Sequence, residues 1–317
     1  MKKCLILFIP LFFLSCNQKS KQESAIADAS IEIGVVRFDK IFFETPPDQL
    51  QKIKMEFPFF FPEGNDDAVW IEKMQNPLWR ELYQEVQKKY PTNDKLKADF
   101  ESLFKHIQYY FPKTKTPKVI TVISEMDYDN KVIYADSLVI VSLEMYLGKE
   151  HKFYQFPKYI KQNFEENQIM PDVVSSFYKK VSPPNLDKKL LGSMVEAGKE
   201  LYMKELFLPE APVNELIGYT PEQLTWCEEN ESYIWRYFID KELLYSDDQK
   251  LIPRFINPAP FSKFYLEIDN ESPGKVGAYI GWQIVNSYMK NNEVSLQQLL
   301  QTNAQEIFKK SKYKPKK

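Results

Sequence analysis

The sequence predicts an α+β fold, mostly helical with a small mixed sheet, and three observations predict it. Apolar residues first recur at helical spacing, then alternate with period two from Val119 to Leu143, then return to helical spacing. The 317 residues are 44% hydrophobic and 15% aromatic, which is ample material for a folded core. Pro is common at 21 and Gly scarce at 9, so helices and strands are joined by stiffened loops and not by low-complexity sequence. No internal repeat is visible. Charged residues make up 27% with a net charge of -2, which gives no reason to expect a nucleic-acid partner.

Lys2 and Lys3 precede an apolar run from Leu5 to Leu14, broken by Pro10. The run is too short to cross a bilayer, which takes about 20 residues. It ends at Phe13-Leu14-Ser15-Cys16, a small residue directly before Cys. That is the pattern of a bacterial lipobox, with Phe13 where Leu is usual; the competing reading is an ordinary signal peptide and a chance Cys. The expected layout is a lipoprotein signal peptide over 1–15, a lipidated Cys16 with a flexible tether over 16–30, and a single domain over 31–317. Several acyl chains, at about 0.8 kcal/mol per buried methylene, would make the anchor effectively permanent. Cleavage before Cys16 leaves Cys227 alone, so the mature chain can form no internal disulfide. Asn17 to Gln22 is not acidic and lacks an Asp beside the Cys. Both points favour an outer-membrane anchor facing the periplasm.

The body opens with a strand signal at Ile31, Ile33 and Val35. Pro46-Pro47 opens a helix to Met55, and Phe57-Pro58-Phe59-Phe60-Phe61-Pro62 is an aromatic loop that packs over the core. Helices follow over Asp66–Met74 and Pro77–Tyr90. Another, capped by Asn93 or Asp94, runs to Phe111 with Leu96, Phe100, Leu103, Phe104 and Ile107 on one face. His106, one of two His, takes a surface or rim position on that helix. Strands are expected at Val119–Ile123, Val132–Ala135 and Leu138–Leu143, with a turn near Asp136-Ser137. Helices return at Pro157–Asn163 and Pro171–Val181. Pro221–Leu244 reads as one long helix whose Glu228-Glu229-Glu231 cluster is a solvated face. Pro253–Pro273 is a connection. In the helix from Val276 to Met289, Gly277 and Gly281 suit a close helix contact. Ser295 caps the last helix, and Lys309–Lys317 reads as a frayed basic tail.

Between these helices lies Leu190–Phe207, a strong helix with two interior glycines. It contains Val195-Glu196-Ala197-Gly198-Lys199. Against the zinc-peptidase motif H-E-x-x-H, Glu196 fits, while Val195 and Lys199 stand where the two His belong. In that frame Val195 donates nothing to a metal, and Lys199 places a cation where a neutral imidazole is required, so the match would be a degenerate zincin helix. The competing reading is a packed helix with a solvated Glu and Lys. Glu200 and Lys204 form an i,i+4 pair worth roughly 0.3–0.5 kcal/mol on an exposed helix. His106 and His151 lie before this helix and neither has a partner at i+4. No phosphate-binding Gly loop, CxxC or GxSxG is present. No metal site and no cofactor are expected.

In its order of segments the chain resembles the gliding motility lipoprotein GldB family. The stretches that carry the resemblance are the lipobox at Cys16, Val35-Val36-Arg37-Phe38-Asp39, Ser142-Leu143-Glu144-Met145-Tyr146-Leu147-Gly148, Pro171-Asp172-Val173-Val174, Met194–Tyr202 and Gly277–Tyr288. The family looks like a relative of zincin-type peptidases, in which the helix at this place carries HExxH and a preceding sheet edge binds extended substrate. The resemblance therefore implies a zincin-like, pseudopeptidase architecture that keeps the sheet, the helix and Glu196 without the ligands. It also implies a part in the gliding apparatus, a machinery tied to type IX secretion, with envelope proteins of that machinery as partners.

Three functions follow for comparison. The first is a non-catalytic, membrane-anchored envelope lipoprotein acting through protein partners. The second is a ligand-binding lipoprotein for peptide or glycan, using the aromatic loop. The third is a periplasmic hydrolase using acids such as Glu196 and Glu228. The missing His pair favours the first over the third.

Overall fold

The structure is a computed structural model that describes residues 21–316. The signal segment, Cys16 and the first part of the tether lie outside the described residues. The rest of the tether is not the flexible segment expected. Lys21–Asp28 forms a helix, α1. Ile26 is buried, and Lys105 donates to the Ala27 carbonyl at 3.1 Å, so α1 is held down by the protein body.

The sheet is small, mixed and four-stranded. β1 (Val35–Arg37) is only three residues long, so the alternation from Ile31 yields a strand only at its end; Ile33 is buried before the strand begins. Five helices then cross to the next strand: α2 (Phe38–Glu44), α3 (Leu50–Glu56), α4 (Asp67–Gln75), α5 (Pro77–Lys89) and α6 (Asp94–Tyr110). The segment opened by Pro46-Pro47 starts as a short 3-10 turn before α3. Asp66 caps α4 by accepting from Ala68, and Asn76 caps α5 with Pro77 at its first position. Asn93 precedes α6 without a side-chain cap, but the five apolar residues expected on its inner face are all buried.

β2 (Lys118–Val122), β3 (Val132–Ala135) and β4 (Leu138–Ser142) complete the sheet in the order β1-β2-β4-β3. β1, β2 and β4 run parallel, with Val36 opposite Ile120 and Ile120 opposite Ile140. β3 and β4 form an antiparallel hairpin turning at Asp136-Ser137, where Asp136 takes φ 46°, a conformation that Asp tolerates better than most residues.

The second half is helical: α7 (Lys158–Lys161), α8 (Ile169–Val181), α9 (Leu190–Phe207), α10 (Val213–Ile217), α11 (Pro221–Glu229), α12 (Glu231–Asp240), α13 (Leu251–Phe255), α14 (Val276–Asn291), α15 (Leu296–Gln301) and α16 (Ala304–Ser311). The helix expected over Pro221–Leu244 is two helices broken at Asn230. Glu231 faces inward, four residues after buried Cys227 and three before buried Ile234, while Glu228 and Glu229 are exposed. Ser295 caps α15 through a capping box with Gln298, while Asn303 caps the true last helix, α16. The basic tail is not frayed: Tyr313 donates to Glu231 at 2.8 Å and the Lys316 amide to the same oxygen at 3.1 Å.

α8 lies along the sheet. Phe177 of α8 and Phe104 of α6 meet Tyr134 of β3 at ring distances of 5.2 and 6.2 Å. α9 packs on α8 on one side and on α14 on another. One buried apolar cluster runs from Ile33 to Ile307 through both halves and joins the sheet to α9.

Candidate functional site

The residues from Val195 to Lys199 on α9 each have an occupation in the fold. Val195 is fully buried in the core. Gly198 makes the helix crossing with α14 possible: a Cβ there would lie 2.3 Å from the Gly281 carbonyl oxygen, and a Cβ on Gly281 would lie 1.7 Å from that of Met194. The expectation of a close contact at Gly281 holds, with Gly198 as its counterpart. Gly277 is close-packed as well, against Phe255 and Ile256. Lys199 is not solvated. Its side chain is buried, pairs with Glu196 at 2.8 Å and donates to the Leu300 carbonyl at 3.3 Å. The other oxygen of Glu196 accepts from the Tyr178 hydroxyl at 2.7 Å. Glu196 retains 22% side-chain exposure, so it is a partly wet acid with both oxygens engaged. The pair of Glu200 with Lys204 is present at 3.1 Å but sits in the α8–α9 seam, where Ser175 donates to the same carboxylate at 2.6 Å.

Neither His joins this helix as a metal ligand. Nδ1 of His106 is buried without a partner; burial lowers its pKa, and a bond to the Leu206 backbone opposes the shift. His106 lines a cleft of about 1490 Å³ bounded by α1, α6 and the end of α9, which is the rim position expected. His151 faces Glu85 of α5 at 3.4 Å. Of the acidic cluster, Glu228 and Glu229 are exposed as expected. Glu231 corrects the expectation: it is buried and accepts from Tyr279 and Tyr313, because it shares the inward face of buried Cys227 and Ile234. No group of three or more His, Cys, Asp or Glu able to hold a metal ion exists among the described residues. The aromatic loop packs as read: Phe57 and Phe61 are buried and Phe38 sits 4.3 Å from Phe60 ring to ring, leaving Phe59 as its exposed large side chain.

The sequence reading missed the carboxyl end of the parallel strands, the place where open sheets of this kind present their chemistry. Arg37 and Asp39 form a buried bidentate pair at 2.6 to 2.9 Å. Asp39 also accepts from Thr121 at 2.5 Å and Gln87 at 2.8 Å. Arg37 reaches the Tyr90 carbonyl at 2.7 Å, and the Tyr90 hydroxyl donates to the Tyr146 carbonyl at 2.7 Å. Beside them Glu144 is wholly buried. One of its oxygens accepts from the Ser124 amide at 2.8 Å and hydroxyl at 2.6 Å; the other has no partner. Burial pushes the Glu144 carboxyl up to about 7 against hydrogen bonds from Ser124 and from the Glu144 and Met126 backbone that pull it down. A charged residue inside the Leu-rich stretch Ser142–Leu147 was the available signal, since Glu is almost never fully buried without a reason.

The edge strand is partly covered. The Tyr134 amide, on the outer edge of β3, donates to Ser176 of α8 at 2.8 Å, so α8 occupies that point of the edge. No helix among the described residues is long and apolar enough to cross a membrane.

Fold and geometry define an α+β protein with a four-stranded mixed sheet and a glycine-mediated crossing of two core helices, in which buried polar networks hold the functional-looking residues. The chain belongs to the gliding motility protein GldB family, whose family model matches residues 19–315. It is thereby a gliding-motility-associated protein. No curated protein and no solved structure matches it.

Proposed function

We propose that this protein is a lipid-anchored component of the cell envelope that serves the gliding motility and type IX secretion apparatus without catalysing a reaction, acting through protein partners. Its anchor is Cys16, its membrane the outer one, and its domain faces the periplasm. The supporting observation is the engagement of Glu196. A zinc-peptidase glutamate works by taking a proton from metal-bound water. Here Tyr178 and Lys199 fill both oxygens, and Val195 in the first ligand place is in the core. The scaffold is read as zincin-like, and Ser176 of α8 on the β3 edge fits an architecture that no longer takes extended substrate there. Membership of the family supports the apparatus, and the Phe13–Cys16 pattern supports the anchor. The packing of the aromatic loop gives the peptide- or glycan-binding alternative no comparable support.

The experiment is complementation of a deletion strain. Glu196→Ala is expected to restore motility or secretion to the wild-type level, whereas Cys16→Ser is expected to lose the membrane fraction and the phenotype. A Glu196→Ala variant that folds but fails, together with about one zinc per purified chain, would reject the non-catalytic reading. A Cys16→Ser variant that still fractionates with membranes would reject the anchor.

A further inference from the structure

A second cavity, of about 640 Å³, lies at the amino ends of the parallel strands, the opposite end from Glu144. It is bounded by the 111–117 segment that leads into β2, by the β3–β4 turn and by the end of α8. Its size falls in the range of small-molecule sites, about 300–1,000 Å³. Its walls are aromatic: Phe111 and Tyr134 each meet Phe177 edge-on, at ring distances of 5.3 and 5.2 Å. The bounding segment is pinned in place. The Thr114 amide donates to the Phe111 carbonyl at 2.9 Å, and Gln108 of α6 donates to the Thr114 carbonyl at 3.3 Å and the Thr116 hydroxyl at 3.0 Å.

Two observations separate this cavity from a packing gap. The first is Tyr134. Only 8% of it is exposed, and its hydroxyl is buried without a hydrogen-bond partner. An unsatisfied buried donor costs stability, and a phenylalanine would line the wall without that cost. Burial, and then Asp136, push the Tyr134 pKa up to about 12, so the hydroxyl is a donor at neutral pH.

The second is the charge at the mouth. The charged residues that line the cavity are Lys113, Lys115, Lys180 and Asp136, all of them exposed. Three ammonium groups against one carboxylate leave the rim positive. Asp136 is taken by Lys180, while Lys113 and Lys115 make no hydrogen bond or ion pair among the described residues. The Lys180 ammonium lies 5.0 Å from the centre of the Tyr134 ring, so the ring with the orphan hydroxyl sits directly beside the rim.

Aromatic walls, an unpartnered donor and a cationic mouth fit one kind of occupant. A bare inorganic anion would leave the walls unused. An uncharged hydrocarbon would leave the hydroxyl and the lysines unused. A carboxylate on an apolar body uses all three, with one oxygen for the hydroxyl and the other for an ammonium. We propose that this cavity binds a small amphiphilic carboxylate. Its aryl or short acyl body packs against Phe111, Tyr134 and Phe177, and its head accepts from Tyr134 and is held by Lys113, Lys115 and Lys180. The site lies apart from Glu196 and stands whether or not the non-catalytic reading does.

The test is calorimetric titration of the purified full-length protein at one ionic strength. The probes are hydrocinnamate and octanoate, with hydrocinnamyl alcohol as the body without the charge and acetate as the head without the body. Saturable binding is expected for hydrocinnamate, octanoate or both, and the better of the two identifies an aryl or an acyl body. The alcohol and acetate are expected to bind at least about tenfold more weakly. Lys113→Gln combined with Lys115→Gln changes only exposed side chains and should weaken the acid about tenfold. Tyr134→Phe removes one hydroxyl and should weaken it about fivefold, the equivalent of one net hydrogen bond. Lys88→Gln, at an exposed position on α5, should bind as the wild type does. No saturable binding of either acid would overturn the site. Binding of the alcohol as tightly as the acid would reduce it to an apolar gap and overturn it too. So would wild-type affinity in the double lysine variant or in Tyr134→Phe.

Discussion

Glu196 and Glu144 make opposite use of the same side chain. Glu196 sits in a frame that invites a catalytic reading, yet Tyr178 and Lys199 engage both oxygens and part of its surface is in water. Glu144 sits in no known frame, yet it is wholly buried with one oxygen bare. Spacing pointed to the satisfied acid; physical chemistry points to the unsatisfied one. A buried polar atom without a partner is what a folded chain avoids unless something is gained by it. The region to perturb is therefore the strand end as much as the helix.

The largest effect is expected where the motif helix meets α14. Gly281→Val must push apart two backbones already in contact, because even a Cβ falls 1.7 Å from the Met194 oxygen. The expected cost is about 4 kcal/mol or more, beyond ordinary overpacking, because backbone and not a side-chain tip must yield. Chemical denaturation checks it. A cost under about 1 kcal/mol would mean that the two helices do not cross here, and the account of Gly198 as a packing residue would fail with it.

The next effect separates the two acids by pH. The pKa of Glu144 is raised to about 7 in the folded chain, against 4.5 for a free carboxyl. Between these values the native state binds more protons than the unfolded state, so stability contributed by this group falls as pH rises. It is fully present below about 4.5 and lost by the time pH passes about 7, a swing of about 3 kcal/mol. Glu144→Gln, which does not titrate, is expected to flatten that part of the stability profile and to equal or exceed the wild type at pH 8. A wild-type profile identical to that of Glu144→Gln would place water or a counter-charge on the bare oxygen.

This contrast also marks how far the sequence could be read. The α6 face, the three later strands and the Asp136-Ser137 turn were legible because period and turn chemistry are local. Gly281 was legible because a glycine inside a helix asks for a neighbour. The break at Asn230 was not, nor was the burial of Glu231, whose partners Tyr279 and Tyr313 lie 48 and 82 residues away in the chain. The docked tail was misread for the same reason, since Lys-rich ends look solvated until a buried acid calls them in. Of the candidate site, the sequence pointed to Glu196 and Lys199 but not to the Glu196–Lys199–Tyr178 contacts. Glu196 and Lys199 are an i,i+3 pair on one helix, but the Tyr178 contact needs the α8–α9 pairing, which no local pattern encodes.

A smaller effect tests whether Lys199 is structural. Lys199→Met leaves Glu196 with Tyr178 alone and leaves the Leu300 carbonyl without its donor. Breaking a fully buried pair costs about 3–5 kcal/mol. Glu196 is partly wet, so water recovers some of that, and about 2 kcal/mol is expected here. Adding Glu196→Gln removes the stranded charge and should return part of the loss in a double-mutant cycle. Additive losses would mean that the two side chains do not interact in solution.

The smallest effect is the most pointed for function. Tyr178→Phe deletes one hydroxyl donor to Glu196 and little else from the apolar packing of α8. The net worth of such a bond is about 1 kcal/mol, and the exposure of Glu196 lets water replace it. Stability should therefore fall by about that amount, and motility or secretion should remain at the wild-type level. If Glu196 were instead a working acid, its hydroxyl partner would set its proton affinity. Tyr178→Phe would then shift the pH dependence of whatever activity the chain possessed, while leaving the fold almost untouched. A variant that keeps its stability to within about 1 kcal/mol yet loses the phenotype would move Glu196 out of the packing account and back into chemistry. Equal loss by Tyr178→Phe and Glu196→Ala would make the hydroxyl–carboxylate pair the place to look for a substrate.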